Sequence, residues 1–323
     1  MYLAIEIGGT KLQLAVGDAA GSPLEVVERR DVDPVQGAKG IRNQIAQVGP
    51  ELIQNHNVVA VGIGFGGPVD AQQGRIIKSF QIDGWDGFVI TDWAEQVMQR
   101  PAVLGNDSDL AGLGEARYGA GRGHRVVFYS NAGSGIGGAL VTDGQLYTGG
   151  VGGAAEIGHL RPGIASDSDQ QTVESISSGW GMTRLAQARL ENQLPQDHAS
   201  IEDVLARCDG KIENLTSKIL AAAMIDGNAL ATDVFREGIR TYGWALAQAI
   251  TLLDPNVVVI GGGVPLIGET WYLEPLRKEV ARYVFAPRIG TYKITPAALA
   301  EEVVLYGALA LASSISQATP GES

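Results

Sequence analysis

The sequence predicts an α/β protein organised in two domains. Short apolar segments typical of strands alternate with segments of helical periodicity along the chain. The 44 glycines, about twice the usual share, gather where predicted strands end. A length of 323 residues fits two domains. With 45% hydrophobic and 19% charged residues, the composition is that of a globular protein.

A pattern of strand, glycine turn and strand occurs twice and indicates a duplicated domain. The first copy has strands at 3–7 and 12–16, and the second has strands at 126–129 and 136–141. The two turns contain Gly8, Gly9, Thr10 and Lys11 in the first copy, and Gly133, Ser134 and Gly135 in the second. Backbone N–H groups of such turns suit phosphate binding, although one turn alone is more often only a tight connection.

A third glycine turn, at Gly261, Gly262 and Gly263, follows a predicted buried strand at 257–260. Upstream, helical periodicity over 229–253 stops at Asp254-Pro255. Helices are also expected at 111–118 and at 201–208, the latter capped by Ser200.

The domain boundary is expected in the segment 119–125, which is rich in glycine and arginine. A small N-terminal α/β domain would span 1–119, and a larger α/β domain would span 120–300. The C-terminal amphipathic helix, 301–316, would return to complete the first domain.

Charge and cysteine content exclude several function classes. The net charge of −12 and the lack of a Lys/Arg cluster argue against nucleic acid as a partner. A single cysteine, Cys208, forms no internal disulfide or multi-cysteine zinc site. No signal peptide and no apolar run of about 18 residues is visible, so a cytoplasmic protein with no membrane partner is expected.

Two clusters of polar side chains are candidates for chemistry. Asn106-Asp107 follows a predicted strand, and an ionised carboxylate there suits a general base, or else a turn or helix N-cap. Glu156 and His159 follow a glycine-rich stretch and could bind adjacent sugar hydroxyls. The alternatives for this second pair are a metal site or a surface salt bridge.

Taken together, these motifs resemble the ROK family (repressors, open reading frames and kinases), whose best-known members are bacterial glucokinases. The resemblance covers nearly the whole chain, and the order and spacing of the motifs are specific. It rests on the two phosphate turns, on GIGFGGPVD at 62–70, on Asn106-Asp107, on Glu156-x-Gly158-His159, and on the glycines at 261–263.

The resemblance implies an actin-like ATPase (ribonuclease H-like) fold with two lobes around a central cleft. It implies an ATP-dependent hexose kinase, most similar to glucokinase, that uses Mg²⁺. Asp107 would be the catalytic base. The remaining roles divide between sugar contacts by Gly67, Asn106, Glu156, His159 and Glu174, and nucleotide contacts by Gly8, Gly9, Thr10, Lys11, Gly133, Ser134, Gly135, Gly261, Gly262 and Gly263.

Three positions depart from the family pattern. The segment between His159 and Glu174 lacks the family's zinc-binding cysteines, so zinc is not expected. Glu6 stands where many members have Asp, and it could still reach a Mg²⁺-bound water. Asn131 stands where Thr is common, which leaves its nucleotide contacts open.

Two other functions stay open at this point. The missing zinc segment is also compatible with a sugar-sensing protein without turnover, and with a sugar kinase that uses polyphosphate as the donor. The family's repressors carry an N-terminal winged-helix domain, whereas this sequence begins at the phosphate strand, so a DNA-binding repressor is not expected. The expected partners are a sugar and a nucleotide, and family members are often dimers or tetramers, so a homo-oligomer is expected.

Overall fold

The computed structural model describes residues 1–164, 166, 168, 170–192 and 198–317. The chain forms two compact units. Unit 1 comprises Met1–Tyr129, Ala139–Ala154 and the described residues from Ala297 on, and unit 2 comprises Ser130–Gly138 and Ala155–Pro296. This division differs from the sequence-based boundary after residue 119, because residues 120–129 and 139–154 lie with unit 1.

Strands and helices alternate through the chain as expected for an α/β protein. The strands are β1 (Tyr2–Ile7), β2 (Lys11–Gly17), β3 (Val26–Asp31), β4 (Ala60–Phe65), β5 (Val69–Asp70), β6 (Arg75–Ile76), β7 (Ala102–Asn106), β8 (Val126–Ala132), β9 (Ile136–Thr142), β10 (Gln145–Tyr147), β11 (Val257–Gly261) and β12 (Lys293–Pro296). The α-helices of the described residues are α1 (Gly37–Asn55), α2 (Ile90–Met98), α3 (Asp107–Arg117), α4 (Val173–Ser177), α5 (Gly179–Asn192), α6 (His198–Arg207), α7 (Ser217–Ile225), α8 (Ala229–Leu253), α9 (Glu274–Tyr283) and α10 (Val303–Gln317).

Unit 1 is built on a five-stranded sheet with the order β3-β2-β1-β4-β7. The first three strands of the chain are antiparallel neighbours, whereas β4 runs parallel to β1 and to β7. Successive side chains of a strand point to opposite faces. In β1, Leu3, Ile5 and Ile7 therefore join the apolar core beneath α1 and α2, while Glu6 faces the other way.

Helix α10 packs on that other face of the sheet, against β1 and β4, and against α3. Glycine makes this approach possible, since a Cβ at Gly62 would lie 2.0 Å from the carbonyl oxygen of Ala308. At Gly307, on α10 itself, a Cβ would lie 1.8 Å from the carbonyl oxygen of Leu110 on α3. The C-terminal helix is thus part of unit 1, where it covers the face that carries Glu6.

A second five-stranded sheet has the order β10-β9-β8-β11-β12, and the division between the units falls within β8 and β9. In unit 2, α8 packs against α4, α5, α7 and α9. The hydroxyl of Tyr242 on α8 donates to Ser130 Oγ, which donates to the carbonyl oxygen of Gly137, with 2.7 Å in both bonds. All three groups are buried or nearly so, and the two bonds attach α8 to both strands of the β8–β9 hairpin.

No helix among the described residues is both long enough and apolar enough to span a membrane.

Candidate active site

In unit 1, the predicted catalytic pair lies where β7 ends and α3 begins. The Asn106 side chain is the N-cap of α3, because its Oδ1 accepts from the backbone N–H groups of Ser108 at 2.8 Å and Asp109 at 3.2 Å. Its Nδ2 donates to the carbonyl oxygen of Gly67 at 3.0 Å. The capping role that the sequence left open for Asp107 therefore belongs to Asn106, and Asp107 is the first residue of the helix.

Hydrogen bonds from Ser108 and from the Asn106 side chain act on the Asp107 carboxylate. Its Oδ1 accepts from the backbone N–H of Ser108 at 2.8 Å. Its Oδ2 lies 3.4 Å from the point that a Cβ at Gly66 would occupy, so the glycine leaves room beside this oxygen. Desolvation by burial raises the pKa of Asp107 above its ordinary value of 3.8, against the lowering effect of hydrogen bonds from Ser108. A carboxylate with a raised pKa is a better proton acceptor than an exposed one.

Glu6 lies in a row of polar side chains that crosses three neighbouring strands. Glu6 pairs with Gln13 in the β1–β2 register, and Gln13 pairs with Arg29 in the β2–β3 register. Gln13 Nε2 donates to Glu6 Oε2 at 2.6 Å, and Arg29 Nε donates to Gln13 Oε1 at 2.8 Å. The Gln13 side chain, in a residue with 0% exposure, thus links a half-buried carboxylate to a guanidinium. The sequence analysis missed Gln13, although a polar residue within an apolar strand was a visible signal.

Burial and a neighbouring carboxylate both act on the ionisation of Glu6. Desolvation is the main cause that raises its pKa above 4.5, and the charge of Asp107 adds to the rise. The hydrogen bond from Gln13 and the charge of Lys11 lower the pKa. Glu6 and Asp107 are therefore electrostatically coupled carboxylates within unit 1.

The first glycine turn, residues 8–11, joins β1 to β2 as predicted. The N–H of Gly8 donates to the carbonyl oxygen of Lys11 at 3.0 Å and closes the turn. Thr10 is exposed, and Lys11 Nζ lies 3.9 Å from the exposed Glu301 carboxylate. An ion pair this exposed is weak, so Lys11 stays available to a ligand.

In unit 2, the other two glycine turns lie side by side. Gly262 has φ +91°, and a Cβ there would lie 2.4 Å from the carbonyl oxygen of Ala132, at the end of β8. A Cβ at Gly133 would lie 3.9 Å from the backbone nitrogen of Gly263. The structure therefore places the second and third predicted nucleotide motifs together within one unit.

Of the predicted sugar-binding pair of unit 2, Glu156 precedes and His159 ends a short 3₁₀ turn at Ile157–His159. Both side chains are exposed. Neither takes part in an ion pair within the described part of the chain, so the surface salt bridge weighed as an alternative is not formed there. Likewise, no group of three or more His, Cys, Asp or Glu side chains suited to a metal ion occurs among these residues.

Glu174 lies on α4 and contacts the second glycine turn. Its Oε2 accepts from the backbone N–H of Ile136 at 2.7 Å. The sequence analysis expected Glu174 only as a sugar ligand and gave no signal for this contact. Part of the segment that replaces the zinc-binding cysteines, residues 165, 167 and 169, lies outside the described residues.

Comparison with known proteins extends these observations to the whole chain. The pattern of the ROK family matches residues 2–315. A glucokinase of Streptomyces coelicolor is 31% identical over 288 residues, which is 88% of this chain and 88% of that protein. A glucokinase of Thermotoga maritima is 29% identical over 96% of each chain.

Solved structures agree with the sequence relatives. A ROK family glucokinase from Streptomyces griseus in complex with glucose and AMPPNP has a TM-score of 0.77 and 32% identity, over 97% of this chain and 99% of that one. A ROK hexokinase from Thermus thermophilus has a TM-score of 0.81 and 26% identity, over 98% and 99%. The predicted α/β fold of the actin-like ATPase type is confirmed by these structures. The chain belongs to the ROK family.

Proposed function

We propose that this protein transfers the γ-phosphoryl group of Mg-ATP to a hydroxyl of a hexose, with glucose as the first candidate. The glucokinase relatives, and the related glucokinase bound to glucose and AMPPNP, confirm the expected class of ATP-dependent sugar kinase. The observation that carries the proposal is the state of Asp107. Its carboxylate is desolvated, and it does not cap α3, because Asn106 does so. Its Oδ2 lies beside the space left by Gly66.

Asp107 is the proposed catalytic base. It accepts the proton of the attacking sugar hydroxyl on Oδ2, while the Ser108 N–H fixes Oδ1 and so sets the direction of the carboxylate. Asn106 and Gly67 hold the start of α3 in place through their mutual hydrogen bond. The second N–H of the Asn106 amide is the group that we assign to the sugar.

Glu6 and Asp107 fit a magnesium ion by their chemistry. Carboxylate oxygens and water are the ligands that Mg²⁺ prefers, and a divalent cation would offset the repulsion by which the charge of Asp107 raises the pKa of Glu6. We assign Glu6 to a Mg²⁺-bound water. When bound, the cation would neutralise charge on the transferred phosphoryl group.

The nucleotide phosphates are assigned to backbone N–H groups. These belong to the turns at Gly8–Lys11 and Gly133–Gly135, with the Thr10 and Ser134 hydroxyls and the Lys11 ammonium beside them. The glycines at 261–263 are assigned to the adenosine part of ATP. Gly263 supports this assignment, because nothing lies within 4 Å of the point that its Cβ would occupy.

Glu156, His159 and Glu174 are the proposed sugar ligands of unit 2. A carboxylate accepts and an imidazole donates or accepts, so exposed side chains of both kinds can bind adjacent hydroxyls.

We also propose that the protein acts in the cytoplasm as a homo-oligomer, with a sugar and a nucleotide as its small-molecule partners. Light scattering of the purified protein tests the oligomer, and a monomer at micromolar concentration would contradict it.

The test of the proposed function is ADP release from Mg-ATP with a panel of hexoses and N-acylated hexosamines. The Asp107→Asn protein, prepared in the same way, measures contaminating kinase. We expect release that depends on one or a few sugars and is absent without sugar. If sugar phosphate forms only from polyphosphate, the donor is polyphosphate and not ATP. If calorimetry detects sugar binding but no sugar is phosphorylated, the protein is a sugar sensor and not a kinase.

A further inference from the structure

Ile136, the residue that follows the second glycine turn, is contacted from two sides by the segments that carry the proposed sugar ligands. Its N–H donates to Glu174 Oε2 at 2.7 Å. Its carbonyl oxygen is approached by Gly158, between Glu156 and His159, where a Cβ would lie 2.2 Å away. Ile136 is buried. It therefore lies against both segments that carry proposed sugar ligands, and it directly follows a turn that is proposed to bind phosphate.

The other end of the turn, at Gly133, is hydrogen-bonded to the start of α5, the helix that follows α4. The N–H of Gly179, which begins α5, donates to the carbonyl oxygen of Gly133 at 2.8 Å. The preceding residue, Ser178, donates its N–H to the carbonyl oxygen of Glu174 at 3.1 Å. The segment 174–179 therefore binds the turn at its first residue through Gly179 and just past its last residue through Glu174.

There is little space for the turn to shift relative to Glu174. A Cβ at Gly135 would lie 2.6 Å from Glu174 Oε2, closer than real Cβ atoms come to their neighbours. The helix that carries Glu174 is short but is fixed at its start by a capping box between Thr172 and Ser175. The carboxylate is therefore held at a set position against the turn.

We infer that Glu174 is a positioning residue for the nucleotide phosphates: it sets the geometry of the turn Gly133–Gly135 through its hydrogen bond to Ile136. This inference rests on the proposed function, in which that turn binds phosphate and the same carboxylate contacts the sugar. One oxygen of Glu174 holds the turn, and the other stays available to a sugar hydroxyl. Sugar and nucleotide binding are then coupled through Glu174, and each ligand changes the affinity for the other by the same factor.

The test compares two substitutions of Glu174 by calorimetry with AMPPNP in the absence of sugar. Glu174→Gln keeps an oxygen that accepts from Ile136, whereas Glu174→Met keeps the length of the side chain and removes the acceptor. We expect Kd for AMPPNP to change less than about threefold in the glutamine variant and to rise about tenfold in the methionine variant. Loss of a hydrogen bond to an ionised group shifts a local equilibrium by about tenfold or more, and AMPPNP must offset that shift when it binds the turn.

Glu156→Met is the matched control, since this carboxylate also belongs to the proposed sugar site but is exposed and does not contact the turn. It should weaken glucose binding and leave AMPPNP binding unchanged. Hydrogen exchange at 133–138 should become faster in Glu174→Met alone. Unchanged AMPPNP binding in a folded Glu174→Met protein would overturn the inference and leave Glu174 as a sugar ligand only.

The wild-type measurements separate this inference from the proposed function. If the wild type binds AMPPNP but phosphorylates no sugar, the proposed kinase activity is wrong. The Glu174→Met result then decides on its own whether Glu174 positions the turn. A wild type that binds no nucleotide overturns both.

Discussion

Glu115 Oε1 accepts a hydrogen bond from the backbone N–H of Leu299 at 2.8 Å, across 184 residues of sequence. The same oxygen accepts from the N–H of Ala298 at 2.8 Å, and Oε2 accepts from Ala120 at 2.7 Å. Glu115 is 0% exposed. One buried carboxylate on α3 therefore binds both the segment that leaves this helix and the segment that leads into α10.

Removing this carboxylate should destabilise the protein strongly. Glu115→Ala removes three part-buried hydrogen bonds to a carboxylate, and a bond of this kind contributes about 1.5–3 kcal/mol. We expect the free energy of unfolding in urea to fall by about 3–5 kcal/mol. Glu51→Ala, an exposed substitution on α1, should change it by less than about 0.5 kcal/mol. Similar losses in both variants would contradict the role of Glu115.

The polar row that ends at Glu6 should control metal use. Gln13→Leu removes the hydrogen bond that lowers the pKa of Glu6, so the carboxylate should bind protons more readily. We expect the acid limb of kcat to move to higher pH. The Mg²⁺ concentration for half-maximal rate should rise about tenfold, the low end of the effect of losing a positioning partner beside a metal ligand, which is the role proposed for Glu6. Mn²⁺ binding followed by electron paramagnetic resonance gives a readout without turnover.

The control for this prediction is Gln47→Leu, which removes an exposed amide that pairs only weakly with Arg30 at 3.4 Å. It should leave the pH profile and the metal dependence as in the wild type. An unchanged metal dependence in Gln13→Leu would show that Gln13 serves the stability of the sheet alone.

Asp107→Asn should stabilise the fold at neutral pH. Burial raises the folded-state pKa of Asp107 above the ordinary 3.8, so the folded state binds this proton more tightly than the unfolded chain does. The favourable contribution is complete below the ordinary pKa and is lost as pH rises through the raised one. The neutral asparagine avoids that loss, and its advantage in Tm over the wild type should be greatest near pH 7–8 and disappear towards pH 3. A variant with lower Tm at every pH would contradict this account.

The two glycines after β11 should respond differently to alanine. Gly262→Ala meets both φ +91° and an atom of Ala132 at 2.4 Å, and strain of this kind costs on the order of 1–3 kcal/mol. Gly263 has helical dihedrals, φ −79° and ψ −26°, and open space around it. Gly263→Ala should leave the free energy of unfolding within about 0.5 kcal/mol of the wild-type value and raise KM for ATP. Equal stability losses would show that the space at Gly263 is not available.

Local signals in the sequence predicted that several helices exist, but fixed the bounds of only the longest one. The predicted helix 229–253 has the observed bounds of α8, because its periodicity is long and Asp254, with φ 48°, and Pro255 end it. The helix predicted at 111–118 begins four residues earlier, at Asp107, because Asn106 caps it there. Ser200 lies inside α6, which begins at His198, so the capping role predicted for it was wrong.

Contacts made in the folded chain were beyond such signals. The row of Glu6, Gln13 and Arg29 depends on the register of three strands, which the lengths of two turns decide. The bond from Ile136 to Glu174 joins residues 38 positions apart and needs the packing of α4 against the hairpin. Motif order predicts which residues carry the chemistry, and that assignment stays a prediction, whereas the structure adds the contacts that hold these residues.

The measurement that tests the central claim most directly is the rate of glucose phosphorylation by Asp107→Asn beside the wild type, with glucose binding measured on both. A general base contributes about 10²–10⁴ in rate, so we expect kcat to fall by that factor while Kd for glucose changes less than about threefold. A folded Asp107→Asn protein that keeps the wild-type kcat would contradict the account, because Asp107 would then not be the base.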